Sequence, residues 1–161
     1  MTYATIRLPR SIIRRMQEEA ERLGMSLEEY VLELVAQGLD PKDRAREYIE
    51  AARDLLSQAE KELESGNARQ AAEKLWGATA LAVKAYASWK HNKILRSHAE
   101  LWKYKREMMK EFGEWVNTSW NGGQSMHVCF YEGWCTKEDV EPTLKDIKRL
   151  VDEVAKRINE D

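Results

Sequence analysis

The residues of this 161-residue chain whose types could do chemistry are few: three histidines, two cysteines and a cluster of arginines near the start. His98 and His127 are candidate proton carriers, because an imidazole titrates near neutrality and can give or take a proton during a reaction. Tyr131 and Glu132, just beyond His127, add a phenol and a carboxylate to the same stretch. The competing reading is that such side chains satisfy one another and buried helix ends, as polar groups in helical bundles usually do. His98, His127 and Glu132 therefore stand as catalytic candidates without an assigned reaction. His127, Cys129 and Cys135 have metal-ligating atoms, but three ligands without a fourth and without a CxxC spacing argue against zinc. No metal and no cofactor are expected, and Cys129 between Val128 and Phe130 reads as core. At the other end, residues 1–17 carry Arg7, Arg10, Arg14 and Arg15 and no acid, a local charge that suits a polyanion.

Composition does not extend that charge to the whole chain. The net charge is −2 and the pI about 6.0, so nothing global marks a nucleic-acid or membrane binder. A second basic stretch runs from Lys84 to Lys110, with eight Lys or Arg against two Glu, and Trp89, Trp102 and Tyr104 are interleaved with it. A solvated helix face over core aromatics accounts for that pattern more simply than a polyanion site. Two cysteines are too few for a disulfide framework, and no hydrophobic targeting segment opens the chain. The expectation is a soluble protein of a reducing cytoplasm, with no membrane partner.

The elements that must position these residues are mostly helices. The stretch ARQAAEKLWGATALAVKAYASW, residues 68–89, has apolar and small residues on every side, the pattern of a helix buried by neighbours all round. It is expected to be the hub of a bundle. Before it, Tyr3 to Leu8 alternates as a half-buried strand does, and Pro9 opens a helix that Gly24 stops. Ser26 with Glu29 forms a capping box for a second helix ending at Gly38.

One strand and two short helices cannot close a core alone. The segment TIRLPRSIIRRMQEEAERLGMSLEEYVLELV resembles a ribbon-helix-helix unit, the class of the Arc and CopG repressors. That resemblance implies a homodimer formed by N-terminal strand pairing, its ribbon in the major groove of duplex DNA. Tyr3, Thr5 and Arg7 would then read base edges. Phosphates would be held by Arg10 and by the start of the second helix near Met25, Ser26 and Leu27. The plainer alternative is a module that only dimerises, since Thr and Tyr are common on any strand.

Asp40 followed by Pro41 reads as an N-cap with Pro at the first helical position, which sets two domains, 1–39 and 40–161. A helix from Pro41 to about Glu64 leads through Gly66 into the hub, with Asn67 and Gln70 as a further capping box. Ser97 with Glu100 opens another helix, Gly122-Gly123 is expected to break the chain, and Thr136 with Asp139 starts the last helix, with Pro142 near its first turn. The fold class expected is mainly α: a short N-terminal strand plus two helices, then a bundle of four main helices and a shorter one.

The passages EKLWGATALAVKAYA, RSHAELWKY and MHVCFYEGWCTKEDVE make residues 42–158 resemble the archaeal PaREP family, a branch of the HEPN helical domains. The resemblance implies an all-helical, often dimeric bundle and no established activity. It also suggests that Arg96, His98, His127, Tyr131 and Glu132 converge near Trp76 and Lys84, as a pocket for a small anionic ligand or a contact for a protein partner. HEPN ribonucleases depend on an Arg followed about five residues later by a His. That spacing is absent here, which argues against metal-free RNA cleavage. The resulting expectation is a homodimeric DNA-binding protein, transcriptional or antitoxin-like, whose helical domain senses or interacts. The rival is a nucleotide- or RNA-binding bundle, enzymatic through His98, His127 and Glu132, whose N-terminal piece only dimerises.

Overall fold

The computed structural model describes residues 4–159, which form helices and no strand. Seven helices occur among the described residues: α1 Arg10–Arg22, α2 Leu27–Ala36, α3 Pro41–Glu64, α4 Ala68–His91, α5 His98–Phe112, α6 Trp115–Glu132 and α7 Lys137–Asn159. They fall into two compact units, residues 1–39 and 40–161.

In the first unit, the Pro9 carbonyl accepts from the N–H groups of Ile12 and Ile13 at 3.0 and 3.1 Å, starting α1 where the proline ring has already set the backbone. Gly24, at φ +68°, turns the chain left-handed after α1, and the Met25 N–H closes the helix end on the Ala20 carbonyl at 3.0 Å. The Ser26 hydroxyl accepts from the Glu29 N–H at 3.1 Å and caps α2.

The expected N-terminal strand is not there. Residues 4–9 form no regular element and are exposed. The alternation of apolar and polar side chains is real, but a strand's backbone groups need a second strand, and no described segment of the chain offers one. The fold is therefore all-helical among the described residues, and the strand that was to pair two chains is missing. Tyr3 lies outside the described residues.

The second unit is organised by α4. Asp40 starts its first helix by accepting from the N–H groups of Lys42 and Asp43 at 3.0 and 3.1 Å. After α3, Gly66 at φ +81° reverses the chain into α4. Asn67 does not cap α4 as expected: its side-chain amide donates instead to Glu62 across the turn, at 3.0 Å. Every residue of α4 from 75 to 88 is buried, and α3, α5, α6 and α7 all pack on it.

One further expectation is corrected here. Gly122 and Gly123 do not break the chain but lie inside α6, because they serve close packing rather than a turn. A Cβ on Gly123 would sit 2.4 Å from the Thr79 hydroxyl on α4, and one on Gly122 would sit 3.0 Å from a Thr143 methyl on α7. Tertiary approach here outweighs the low helix propensity of glycine. Pro142 lies within α7, which begins at Lys137, directly after the Thr136–Asp139 pair expected to start it. The proline ring is exposed, and the bond it cannot make falls in the second turn.

Candidate functional site

The imidazoles are positioned by the way α5 starts. Asn92, in the left-handed region at φ 49°, ends α4, and its side chain accepts from the Arg44 guanidinium at 2.8 Å while Ser88 accepts from the same group at 2.9 Å. Residues 92–97 then run back along α4. Ser97 and Glu100 form a complete capping box, which fixes the first turn of α5 and the place of His98 on it. The side chain of His98 thereby meets Trp76 in the middle of α4, ring centres 5.5 Å apart.

α6 runs antiparallel to α5, as its facing side chains show. His127 lies 5.5 Å from His98, Trp120 lies 5.3 Å from Trp102, and the Asn117 carbonyl oxygen accepts from the Lys105 ammonium at 2.7 Å. Trp76 joins the row from α4, 4.9 Å from His127 and 5.5 Å from Trp120. Tyr131 stands edge-on to His127 at 5.0 Å and is 63% exposed. The cluster thus grades from solvent at Tyr131 and His98 into a closed aromatic interior at Trp120.

Burial, and secondarily the proximity of His98, pushes the His127 imidazole below the ordinary histidine range. At neutral pH it is uncharged, with one nitrogen free to accept and the other to donate. A neutral imidazole beside an exposed one is chemically able to divide base and acid roles between them.

Of the residues singled out from the sequence, the structure brings together His98, His127, Tyr131 and Trp76. Lys84 is buried within α4 two helical turns beyond Trp76, with interactions of its own. Arg96 and Glu132 are exposed, and their side chains make no hydrogen bond or ion pair among the described residues. Thr5, Arg7 and Arg10 are exposed, whereas the Ser26 hydroxyl is engaged in capping α2.

The cysteines, too few for a framework, are nevertheless bonded to each other. Gly133 at φ 78° ends α6 and folds the chain back, bringing the Cα atoms of Cys129 and Cys135 to 5.3 Å. Cys129 is fully buried, so its reading as core holds alongside the bond. Arg69 on α4 secures the same helix end, donating to the Phe130 carbonyl at 2.6 Å and lying over the Phe130 ring.

Sequence reasoning missed Asn117, Trp120 and Gln124, and took Trp102 and Lys105 only as part of a basic helix face. The signal was present: His98, Trp102 and Lys105 follow helical spacing, as do Asn117, Trp120, Gln124, His127 and Tyr131. The second series crosses Gly122-Gly123, and reading those glycines as a break concealed it. A separate polar group lies further along α4 and α5, where Tyr86 donates to Glu111 and His91 meets the Tyr104 hydroxyl at 2.7 Å. Burial is the first cause raising the pKa of both phenols, so both keep their protons at neutral pH.

A model of the archaeal PaREP1/PaREP8 family matches residues 47–151, a span that takes in α4, α5, α6 and the whole imidazole cluster. No curated protein and no solved structure matches the chain. No helix of the described residues is long and apolar enough to cross a membrane.

Proposed function

We propose that this chain, which belongs to the archaeal PaREP1/PaREP8 family, is a homodimeric DNA-binding protein with a transcriptional or antitoxin-like role. One observation carries the reading: the first unit leaves five large apolar side chains exposed in a segment that also carries an excess of arginines at its start. Among its described residues only Ala20, Glu33 and Ala36 are buried, while Ile6 is 73% and Val35 59% exposed, and Leu8, Ile12 and Leu34 are exposed as well. So small a unit with so little core requires a covering surface. A second copy supplies one with the same chemistry, and two-fold pairing doubles Arg7, Arg10, Arg14 and Arg15 into a symmetric array, as a symmetric operator needs. The reading makes no use of a paired strand. The HEPN-like bundle adds dimer surface or answers to a ligand or a protein partner.

The test is binding of duplex DNA across a salt series. Each phosphate contact contributes about 0.9 to the slope of log K against log salt, so the Arg7→Ala, Arg10→Ala double variant, which removes four arginines from the dimer, should lose about 3.6 from that slope. Binding without salt dependence, or a slope that the double variant leaves intact, defeats the proposal.

A second reading rests on the meeting of His98 and His127 against Trp76: a bundle that binds nucleotides or RNA and uses the pair as base and acid, with the first unit only dimerising. It predicts that His98→Ala and His127→Ala each abolish turnover of RNA or a nucleotide while Arg7→Ala has no consequence. Turnover surviving both substitutions excludes it.

A further inference from the structure

The interior between α5 and α6 holds a positive charge that nothing opposite compensates. Lys105 is 4% exposed. Its ammonium has three donors, and its partners are the neutral Asn117 carbonyl oxygen at 2.7 Å and the face of Trp102, 4.9 Å from the ring centre. Burial, and secondarily the like charge of Arg106, lowers the lysine pKa. No carboxylate among the described residues offsets it.

One ring away, a second donor lacks an acceptor. Trp120 is fully buried and packs on Trp102, and its indole N–H has no hydrogen-bond partner among the described residues. Asn117, which holds the lysine, is on the same face of α6 one turn earlier. Leaving such an N–H unpaired in a core is destabilising, and an uncompensated ammonium is more so. A bound water would answer the indole, but it carries no charge and leaves the ammonium as it was.

We infer that the seam between α5 and α6 binds a small oxyanion, received by the Lys105 ammonium and the Trp120 N–H. An oxyanion supplies the negative charge the lysine lacks and several acceptor oxygens in one compact group. Gln124, one turn beyond Trp120, has a buried carbonyl oxygen that is also unpartnered. A protonated oxygen of a phosphate monoester or of dihydrogen phosphate donates to it, whereas a carboxylate is met by the amide turned over to present its NH2. The site is independent of the DNA-binding proposal and shares none of its residues.

The experiment follows thermal unfolding of the full chain as potassium phosphate, or separately potassium acetate, replaces chloride at constant ionic strength. A ligand that binds only the folded state raises Tm with the logarithm of its concentration. The expected result is a saturable rise with phosphate, with acetate, or with both, and the arm that responds identifies a phosphate or a carboxylate. Lys105→Met keeps the aliphatic stem and removes the charge, so it should lose the rise. Lys103→Met, on an exposed neighbour, should retain it. Trp120→Phe keeps a ring and removes the N–H, which should weaken apparent affinity about tenfold; equilibrium dialysis of labelled phosphate or acetate on this variant decides the matter if Lys105→Met does not fold. Absence of a saturable rise with both anions, or an undiminished response in a folded Lys105→Met chain or, failing that, in Trp120→Phe, overturns the inference.

Discussion

The two units of the chain differ in how completely they bury their apolar residues. The bundle buries them around one helix: from Leu75 to Ser88, α4 has no face toward solvent, and Ile147, Leu150, Val151 and Val154 of α7 are fully buried in the same unit. The first unit leaves Ile6, Leu8, Ile12, Leu34 and Val35 exposed. The bundle's stability is thus its own, because its core is complete within one chain. The helix pair lacks that self-sufficiency, and its exposed apolar residues are the surface that the proposed dimer would cover.

The sharpest way to break this contrast is to remove core from the bundle. Leu81, 1% exposed on α4, should cost about 2–5 kcal/mol when changed to Ala, since the lost transfer energy is joined by the cavity left behind. Urea unfolding followed by circular dichroism measures it. A loss under about 1 kcal/mol would mean that α4 is not the hub.

Close approach should matter next. Gly123→Ala forces a Cβ to within 2.4 Å of the Thr79 hydroxyl, and overpacking of this kind costs about 1–3 kcal/mol. Thr79→Ala in the same chain should recover part of that loss, which a double-mutant cycle reads as coupling between α4 and α6. No coupling would place the strain elsewhere.

These glycines also mark where the sequence was legible and where it was not. The hub was readable because small and apolar residues on every side of a helix admit one interpretation, and its observed span, Ala68–His91, needs no tertiary information. The Ser97–Glu100 capping box was readable because its bonds lie within three residues. Gly122 and Gly123 were not, since their role depends on Thr79 and Thr143 in other helices. The N-terminal alternation misled for a related reason: period two describes one segment, while a strand is a relation between two. Within the candidate site, His98 and His127 attract notice by residue type. The lysine and indole beneath them look generic until α5 and α6 are seen side by side.

Proton binding should have a smaller effect than either packing change. The pKa of His127 is depressed below the ordinary value of 6.5, so the unfolded chain takes up its proton first as pH falls. The stability that the neutral imidazole contributes is present above that ordinary pKa and is lost as pH drops through the folded value. Denaturation midpoints measured from pH 8 to pH 5 should decline toward acid, and His127→Gln should flatten the part of that decline belonging to this group. An unchanged slope would show that the imidazole titrates as freely folded as unfolded, leaving the site without its neutral base.

The smallest effect on bundle stability separates the units most cleanly. Leu34 and Val35 on α2 are 48% and 59% exposed, so Leu34→Ser with Val35→Ser removes little that a single chain has buried. Exposed substitutions usually change stability by no more than about 0.5 kcal/mol, and the bundle's urea midpoint should stay within that. Association should respond instead, because an interface core tolerates polar substitution poorly once the hydroxyls must be desolvated. Sedimentation velocity should therefore show the native chain as a dimer and the double variant shifted to monomer at the same concentration. Loss of DNA binding in step with dissociation would tie the exposed face to the paired arginines. Retained dimers would move the association surface to the bundle, and the apolar residues of the first unit would then need another occupant.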